Sequence, residues 1–181
     1  MNPIFVSILN RILGIEGGYV NDARDSGGAT RYGITEAVAR AHGYRGLMRS
    51  LPIEMAREIY RVSYWEPVKG DTLANYSEAL AHEVFDSAVN CGVGTASKWL
   101  QRSLNVLNAQ GTHWADIAVD GKIGPATLRS LKALRSRRGT RGISVLVKML
   151  DSLQGQYYIS LAERRAKDET FVFGWFDHRI S

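Results

Sequence analysis

A chain of 181 residues, 45% hydrophobic and 23% charged, is long enough to bury a core, and its composition excludes the disordered and membrane-embedded classes. Its net charge of +5 and pI near 9.5 favour a polyanionic partner: nucleic acid, an acidic membrane surface or an acidic cell wall. The single cysteine, Cys91, excludes an internal disulfide and reads as a small buried residue.

Ile4, Phe5, Ile8, Leu9, Ile12 and Leu13 recur at helical spacing, predicting an amphipathic helix that stops at Gly17-Gly18 and carries Glu16 at its C-terminal edge. Asn10 and Arg11 interrupt the apolar run, and neither a basic leader nor a small-residue cleavage site accompanies it, so it is not read as a secretion signal. Residues 19–34 are rich in Gly, Asp, Asn and Thr, which predicts a loop or short irregular hairpin, the one place where β structure is expected. Thr35 can cap a helix through about His42, and Pro52 can open another that runs toward Tyr64 and ends at Trp65 and Pro67. Further helices are expected from Ser77 to Asn90, around Leu80, Val84, Phe85 and Val89, and from Thr95 to Leu107. Turns follow between Gly111 and Gly124. Pro125 opens a short helix to Leu134, a Ser/Arg/Gly linker covers 136–142, and a long final helix runs from Ile143 to about Lys167. The chain thus reads as mainly helical with one polar excursion near its start.

Arg129, Lys132, Arg135, Arg137, Arg138, Arg141 and Lys148 face only Asp151 nearby in sequence, as either a solvated helix surface with a basic loop or a dedicated anion-binding patch. The final helix, with Val145, Val147, Leu150, Leu153, Tyr157 and Leu161, reads as core-facing; contact of this basic half with an anionic membrane or lipopolysaccharide is the alternative. Phe171, Phe173, Trp175 and Phe176 are expected to dock the tail onto the core. Trp65 and Trp99 are expected to be buried. No nucleic-acid-binding motif is present, so no nucleic-acid partner is expected.

Cleaving a glycosidic bond requires a carboxylic acid that keeps its proton near neutral pH and a second carboxylate that activates water or stabilises positive charge. Glu16 is expected at the negative end of the first helix dipole, which disfavours its ionised form. Asp22 and Asp25 follow on a polar segment with Arg24 and Arg31, surroundings that keep a carboxylate ionised. Opposite environments suggest opposite roles.

The string Glu16-Gly17-Gly18-Tyr19, then Asp22, Asp25, Gly27-Gly28, Thr30 and Gly33-Ile34, resembles the active-site signature of glycoside hydrolase family 108, phage and bacterial muramidases with a lysozyme-like catalytic core. It is also similar to the Glu, Asp, Thr triad of other phage lysozymes, with eight residues between Glu16 and Asp25 and four between Asp25 and Thr30. The resemblance implies a mainly α, lysozyme-like fold and a role for each position. Glu16 is the proton donor to the leaving oxygen, and Asp25 and Thr30 hold and activate the attacking water. Asp22 supports the loop or shares the base role, or is only a turn former. Gly27, Gly28 and Gly33 let the backbone approach the sugar, and Tyr19 and Tyr32 can stack on it.

In the second half, Asp86-Ser-Ala-Val-Asn90-Cys-Gly92, Trp99-Leu-Gln101 and Asp120-Gly-Lys-Ile-Gly124-Pro-Ala-Thr127 are similar to the peptidoglycan-binding region that follows the catalytic segment in this family. Asp120, Gly121, Gly124 and Pro125 also suffice to build a turn into a helix. Asn90 either donates to a sugar acetamido group or caps a helix. The resemblance implies a catalytic region over 1–90 and a helical peptidoglycan-binding region over 91–181, packed into one compact unit.

The implied activity is that of an endolysin: hydrolysis of the β-1,4 bond between N-acetylmuramic acid and N-acetylglucosamine, leading to cell lysis. The chain is expected to be a monomer, made in the host cytoplasm, released through a holin-type pore and active on the periplasmic wall. No cofactor or metal is expected, since His42, His82, His113 and His178 are scattered and His82-Glu83 lacks the second His of a helical zinc motif. A lytic transglycosylase on the same bond and a non-catalytic wall-binding module are the alternatives. Asp25 and Thr30 argue against both.

Overall fold

The computed structural model describes residues 2–16, 19–20 and 29–180, with the side chains of 2–13 and 29–180. The backbone forms two compact units, Met1–Glu66 and Pro67–Ser181.

In the first unit, helix α1 spans Pro3–Glu16, as the apolar spacing predicts. The Asn2 side chain accepts the Ile4 amide at 2.9 Å, and Pro3 fills the first helical position, where no N–H is needed. Phe5, Ile8, Leu9, Ile12 and Leu13 are buried, and the Phe5 ring lies 5.2 Å from that of the buried Trp65. Strands β1 (Tyr19–Val20), β2 (Thr30–Arg31) and β3 (Ile34–Thr35) make a small antiparallel sheet in that order. Helix α2 (Glu36–Ala41) starts directly from β3, with the Thr35 hydroxyl accepting the Val38 amide. Helix α3 covers Ile53–Tyr60, after which the chain widens into a π-helical turn, Arg61–Trp65. That turn replaces the last part of the helix expected to reach Tyr64. A π turn adds a residue per turn and so shifts the phase of the side chains after it, an effect that apolar spacing alone does not register.

In the second unit, a short helix that the sequence pattern does not announce, α4 (Gly70–Ala74), begins after Lys69 in the left-handed region at φ 58°, without a side-chain cap. Helix α5 (Glu78–Cys91) is capped by Ser77, whose hydroxyl accepts the Leu80 amide. Gly92, at φ 92°, turns the chain into helix α6 (Val93–Val106). Helix α7 then runs Pro125–Arg164, interrupted at Gly139 alone (φ 61°, ψ −153°). The expected seven-residue linker at 136–142 is therefore a one-residue kink: Arg and Ser are compatible with a helix, and only the glycine adopts the conformation that breaks it. A 3-10 turn, Ala166–Asp168, leads into helix α8 (Glu169–Arg179).

Tyr158 on α7 receives Trp175 and Phe176 of α8 at centroid distances of 5.1 and 6.5 Å, and a Cβ on Gly155 would meet the Phe176 ring at 3.5 Å. Phe173, expected to dock with them, is 81% exposed, and Phe171 reaches only as far as stacking on Trp175. On α7 the buried face is Ile143, Leu146, Leu150, Asp151, Gln154 and Tyr158; of the expected stripe Leu150 is buried, Val147, Leu153, Tyr157 and Leu161 are half-buried, and Val145 is exposed. This face also buries the polar Asp151 and Gln154, which apolar spacing does not register. No helix among the described residues is long and apolar enough to cross a membrane.

The irregular segment between α6 and α7 is held by three amides spaced along α6 and just past it. Gln101 Nε2 donates to Asp120 Oδ1 at 2.8 Å and to the Lys122 carbonyl at 3.0 Å, while its Oε1 accepts the Gly121 amide at 2.9 Å. Asn105 exchanges two hydrogen bonds with the Ile117 backbone at 2.8 and 3.0 Å, and Asn108 donates to Asp116 at 2.6 Å. Gly121 must be glycine twice over: its φ is 79°, and a Cβ there would sit 3.1 Å from the Gly94 carbonyl oxygen. The Asp120-to-Thr127 motif is thus a turn whose polar groups are satisfied by a buried Gln. Gln101→Ala should lower stability by about 1–2 kcal/mol, since the turn loses the buried amide that holds it while its exposed partners regain water; a denaturant-midpoint measurement reads it.

Candidate active site

Of the residues singled out for chemistry, the structure describes the backbone of Glu16 and Tyr19 and the side chains of Thr30, Tyr32 and Asn90. Glu16 is the last residue of α1, and β1 begins three residues later at Tyr19. Val20 pairs with Thr30 and Tyr19 with Arg31. That register brings together the two ends of the segment carrying Asp22, Asp25 and Gly28, and puts Thr30 at its base. Asp22, Asp25 and Gly28 themselves, and the side chains of Glu16 and Tyr19, lie outside the described residues.

Thr30 is half-buried and sits between Val20 and Thr35 in the sheet. The connection from β2 to β3 is two residues long, with φ 54° at Tyr32 and 71° at Gly33; positive φ at both central positions is what a type I′ hairpin turn requires. A tyrosine there carries a strain of roughly 1 kcal/mol or more, so other contacts must hold it. Tyr60 of α3 donates its hydroxyl to the Tyr32 carbonyl at 3.1 Å, and the Arg31 guanidinium lies 4.9 Å over the Tyr32 ring and donates to its hydroxyl at 3.2 Å. The Glu36 amide also donates to the Ala29 carbonyl at 3.0 Å, so the far end of the segment is tied to the start of α2. Tyr60 is a positioning residue that sequence reading did not find; an apolar-spaced helix offers no hint that one tyrosine hydroxyl fixes a turn 28 residues away. The Arg31 guanidinium thus lies over the ring of the half-buried Tyr32.

Asn90 does not join this cluster. It lies in α5, half-buried, and donates its amide to the Asp86 carbonyl at 2.9 Å and to Asp86 Oδ1 at 3.0 Å; the cap of α5 falls to Gly92. Around it α5, α7 and α8 enclose a buried polar cluster. Asp86 Oδ2 accepts from Gln154 Nε2 at 2.7 Å, and Gln154 also donates to the Tyr158 hydroxyl at 3.0 Å. The Arg179 guanidinium stands 4.0 Å from Asp86. Burial, with Asp151 and Asp86 nearby, pushes the Glu83 carboxyl up to about 8, and burial pushes the half-buried Cys91 thiol up to about 12. Glu83 is thus an acid that keeps its proton at neutral pH, but it is 6% exposed and turned to the core, with Ser87 on its oxygen at 3.4 Å. Among the described residues no three His, Cys, Asp or Glu side chains gather to hold a metal ion.

A helical unit whose first helix runs into a three-stranded antiparallel excursion defines a mainly α, lysozyme-like protein. Residues 9–92 match the family model described as Glycosyl hydrolase 108, and residues 95–180 match the one described as "Predicted Peptidoglycan domain". The chain thus joins a region that matches glycosyl hydrolase 108 to a following region that matches a peptidoglycan domain. It is similar to the solved structure of Brucella abortus SagA, with 27% identity and a TM-score of 0.56 over 93% of this chain and 95% of that one. The search of curated proteins returned no match. The protein is accordingly a glycoside hydrolase that degrades peptidoglycan.

Proposed function

We propose that the enzyme is an N-acetylmuramidase that hydrolyses the β-1,4 bond between N-acetylmuramic acid and N-acetylglucosamine. Glu16 gives its proton to the glycosidic oxygen as the bond to the muramic acid C1 breaks. Water held by Asp25 and Thr30 adds to C1 and passes its proton to Asp25, with Asp22 supporting the loop. Supporting this reading is the Val20–Thr30 pairing, which closes the acidic segment on itself immediately after the helix that ends in Glu16. The end of a helix and the base of a hairpin are fixed points from which two carboxylates can be held across a sugar. Which stereochemistry results follows from their separation.

The biological role we propose is that of an endolysin, made as a monomer in the host cytoplasm, released through a holin-type pore and lysing the cell from the periplasmic side. Mass spectrometry of digested, purified peptidoglycan tests the reaction. Products with reducing muramic acid ends are expected. Anhydromuramic ends would instead indicate a transglycosylase, and intact glycan strands with bound protein would indicate a wall-binding module.

A further inference from the structure

Helices α6 and α7 leave a groove on the second unit that none of the roles above uses. It consists of two adjoining pockets of about 390 and 400 Å³ that share Val145. Leu107, Leu134 and Gly142 floor the first, and Ser103, Val106 and Met149 line the second. The first pocket lies beside the break in the helix: Gly139 kinks α7, and Gly142 packs so closely that a Cβ would lie 2.6 Å from that of Arg138. Around the apolar floor stand Arg138 and Arg141 at one end and Arg102 and Lys148 at the other. All four are exposed, and none makes an ion pair or side-chain hydrogen bond among the described residues. The Ser103 hydroxyl, 1% exposed by residue, is buried without a hydrogen-bond partner in the wall of the second pocket.

Four unpaired cations flanking two small apolar hollows, with an unsatisfied hydroxyl in one wall, match a ligand that alternates carboxylates with methyl-sized groups. A bilayer surface would call for a convex apolar face rather than paired hollows, and a nucleic-acid strand for aromatic platforms, which the groove lacks. We infer that the α6–α7 groove binds a short acidic, alanine-containing peptide, the chemistry of the stem peptides that hang from the glycan. This rests on the reading of the chain as a peptidoglycan-degrading enzyme. The stem is thereby gripped by a surface separate from the residues assigned to bond cleavage.

Fluorescence anisotropy with the labelled free stem tetrapeptide (L-Ala, γ-D-Glu, meso-diaminopimelate, D-Ala) tests it on the full chain, because a glycosidase cannot digest that probe. Wild type should bind, Arg138→Glu/Lys148→Glu should bind at least about tenfold more weakly, and a control reversal outside the groove, Lys167→Glu, should bind as wild type. Both reversed residues are exposed, and unchanged thermal melting confirms that the variant folds. Hydrolysis of peptide-free glycan should be the same in all three proteins. No binding of the tetrapeptide by wild type, or equal binding by the groove variant, overturns the inference. So does sedimentation with phosphatidylglycerol/phosphatidylethanolamine vesicles by a protein that ignores the peptide. Failure of wild type to cleave peptide-free glycan would instead strike the muramidase reading and leave the peptide result standing by itself.

Discussion

Glu16→Gln is expected to lower hydrolysis of peptidoglycan by about 10²–10⁴-fold, the usual worth of a positioned general acid, with unchanged folding and unchanged binding to intact wall. The amide is nearly isosteric with the carboxylic acid but has no proton to give to a leaving alkoxide, so bond cleavage loses its acid while ground-state contacts survive. Position on the helix sets the direction of the side effects. Glu16 is the last residue of α1, where unsatisfied carbonyls make the local potential negative, so removing a potential negative charge there should leave stability level or raise it by a few tenths of a kcal/mol. Turbidity clearing of chloroform-treated Gram-negative cells reads the first effect and thermal melting the second. Lysis at the wild-type rate by a folded Glu16→Gln protein would remove Glu16 from the mechanism.

What could be read from the sequence was whatever a local rule controls. Apolar spacing gives α1, caps give α2 and α5 through Thr35 and Ser77, and Gly- and Asp-rich composition marks the one place with strands. The hairpin that holds Thr30 is legible for the same reason: its strands lie within one short stretch, and a hairpin register is a local property. Non-local interactions account for what was missed. Tyr60 reaches Tyr32 across the first unit, Gln101 ties down a turn 20 residues on, and α5 packs Glu83, Asp86 and Ser87 inward. Helical periodicity counts apolar residues and so assigns charged ones to solvent, whereas the buried face of α7 includes Asp151 and Gln154 beside Leu150. Composition predicts a linker around Gly139 because Ser, Arg and Gly suggest a loop, although a single glycine does the breaking.

Packing also cuts across the family models. Helices α4 and α5 fall within the stretch matched by Glycosyl hydrolase 108, yet they belong to the second compact unit, where α5 packs on α6 and α7. The last helix of the glycosidase region is therefore part of the core of the unit that contains the peptidoglycan domain. A buried acid in that shared helix sets a condition on both.

That acid is Glu83, and it makes the stability of the second unit depend on pH. Its carboxyl is raised from an ordinary 4.5 to about 8, first by burial and then by the neighbouring Asp151 and Asp86 carboxylates. Between these two values the folded chain holds a proton that the unfolded chain has released, so folding becomes less favourable as pH rises. Below about pH 4.5 the group is protonated in both states and contributes no pH dependence; above about pH 8 the full penalty is present, of the order of 4 kcal/mol. Glu83→Gln keeps an oxygen for the Ser87 hydroxyl and adds an N–H that can face a carboxylate, while removing the charge that has to be buried. The variant should match wild type near pH 5, melt at a higher temperature at pH 9, and show a flatter decline in between. Thermal melting of both proteins at pH 5, 7 and 9 decides it. Parallel curves would mean that Glu83 ionises in the folded protein at no cost, with water or a cation reaching it, and that the α5–α7 seam is not the closed interior its burial describes.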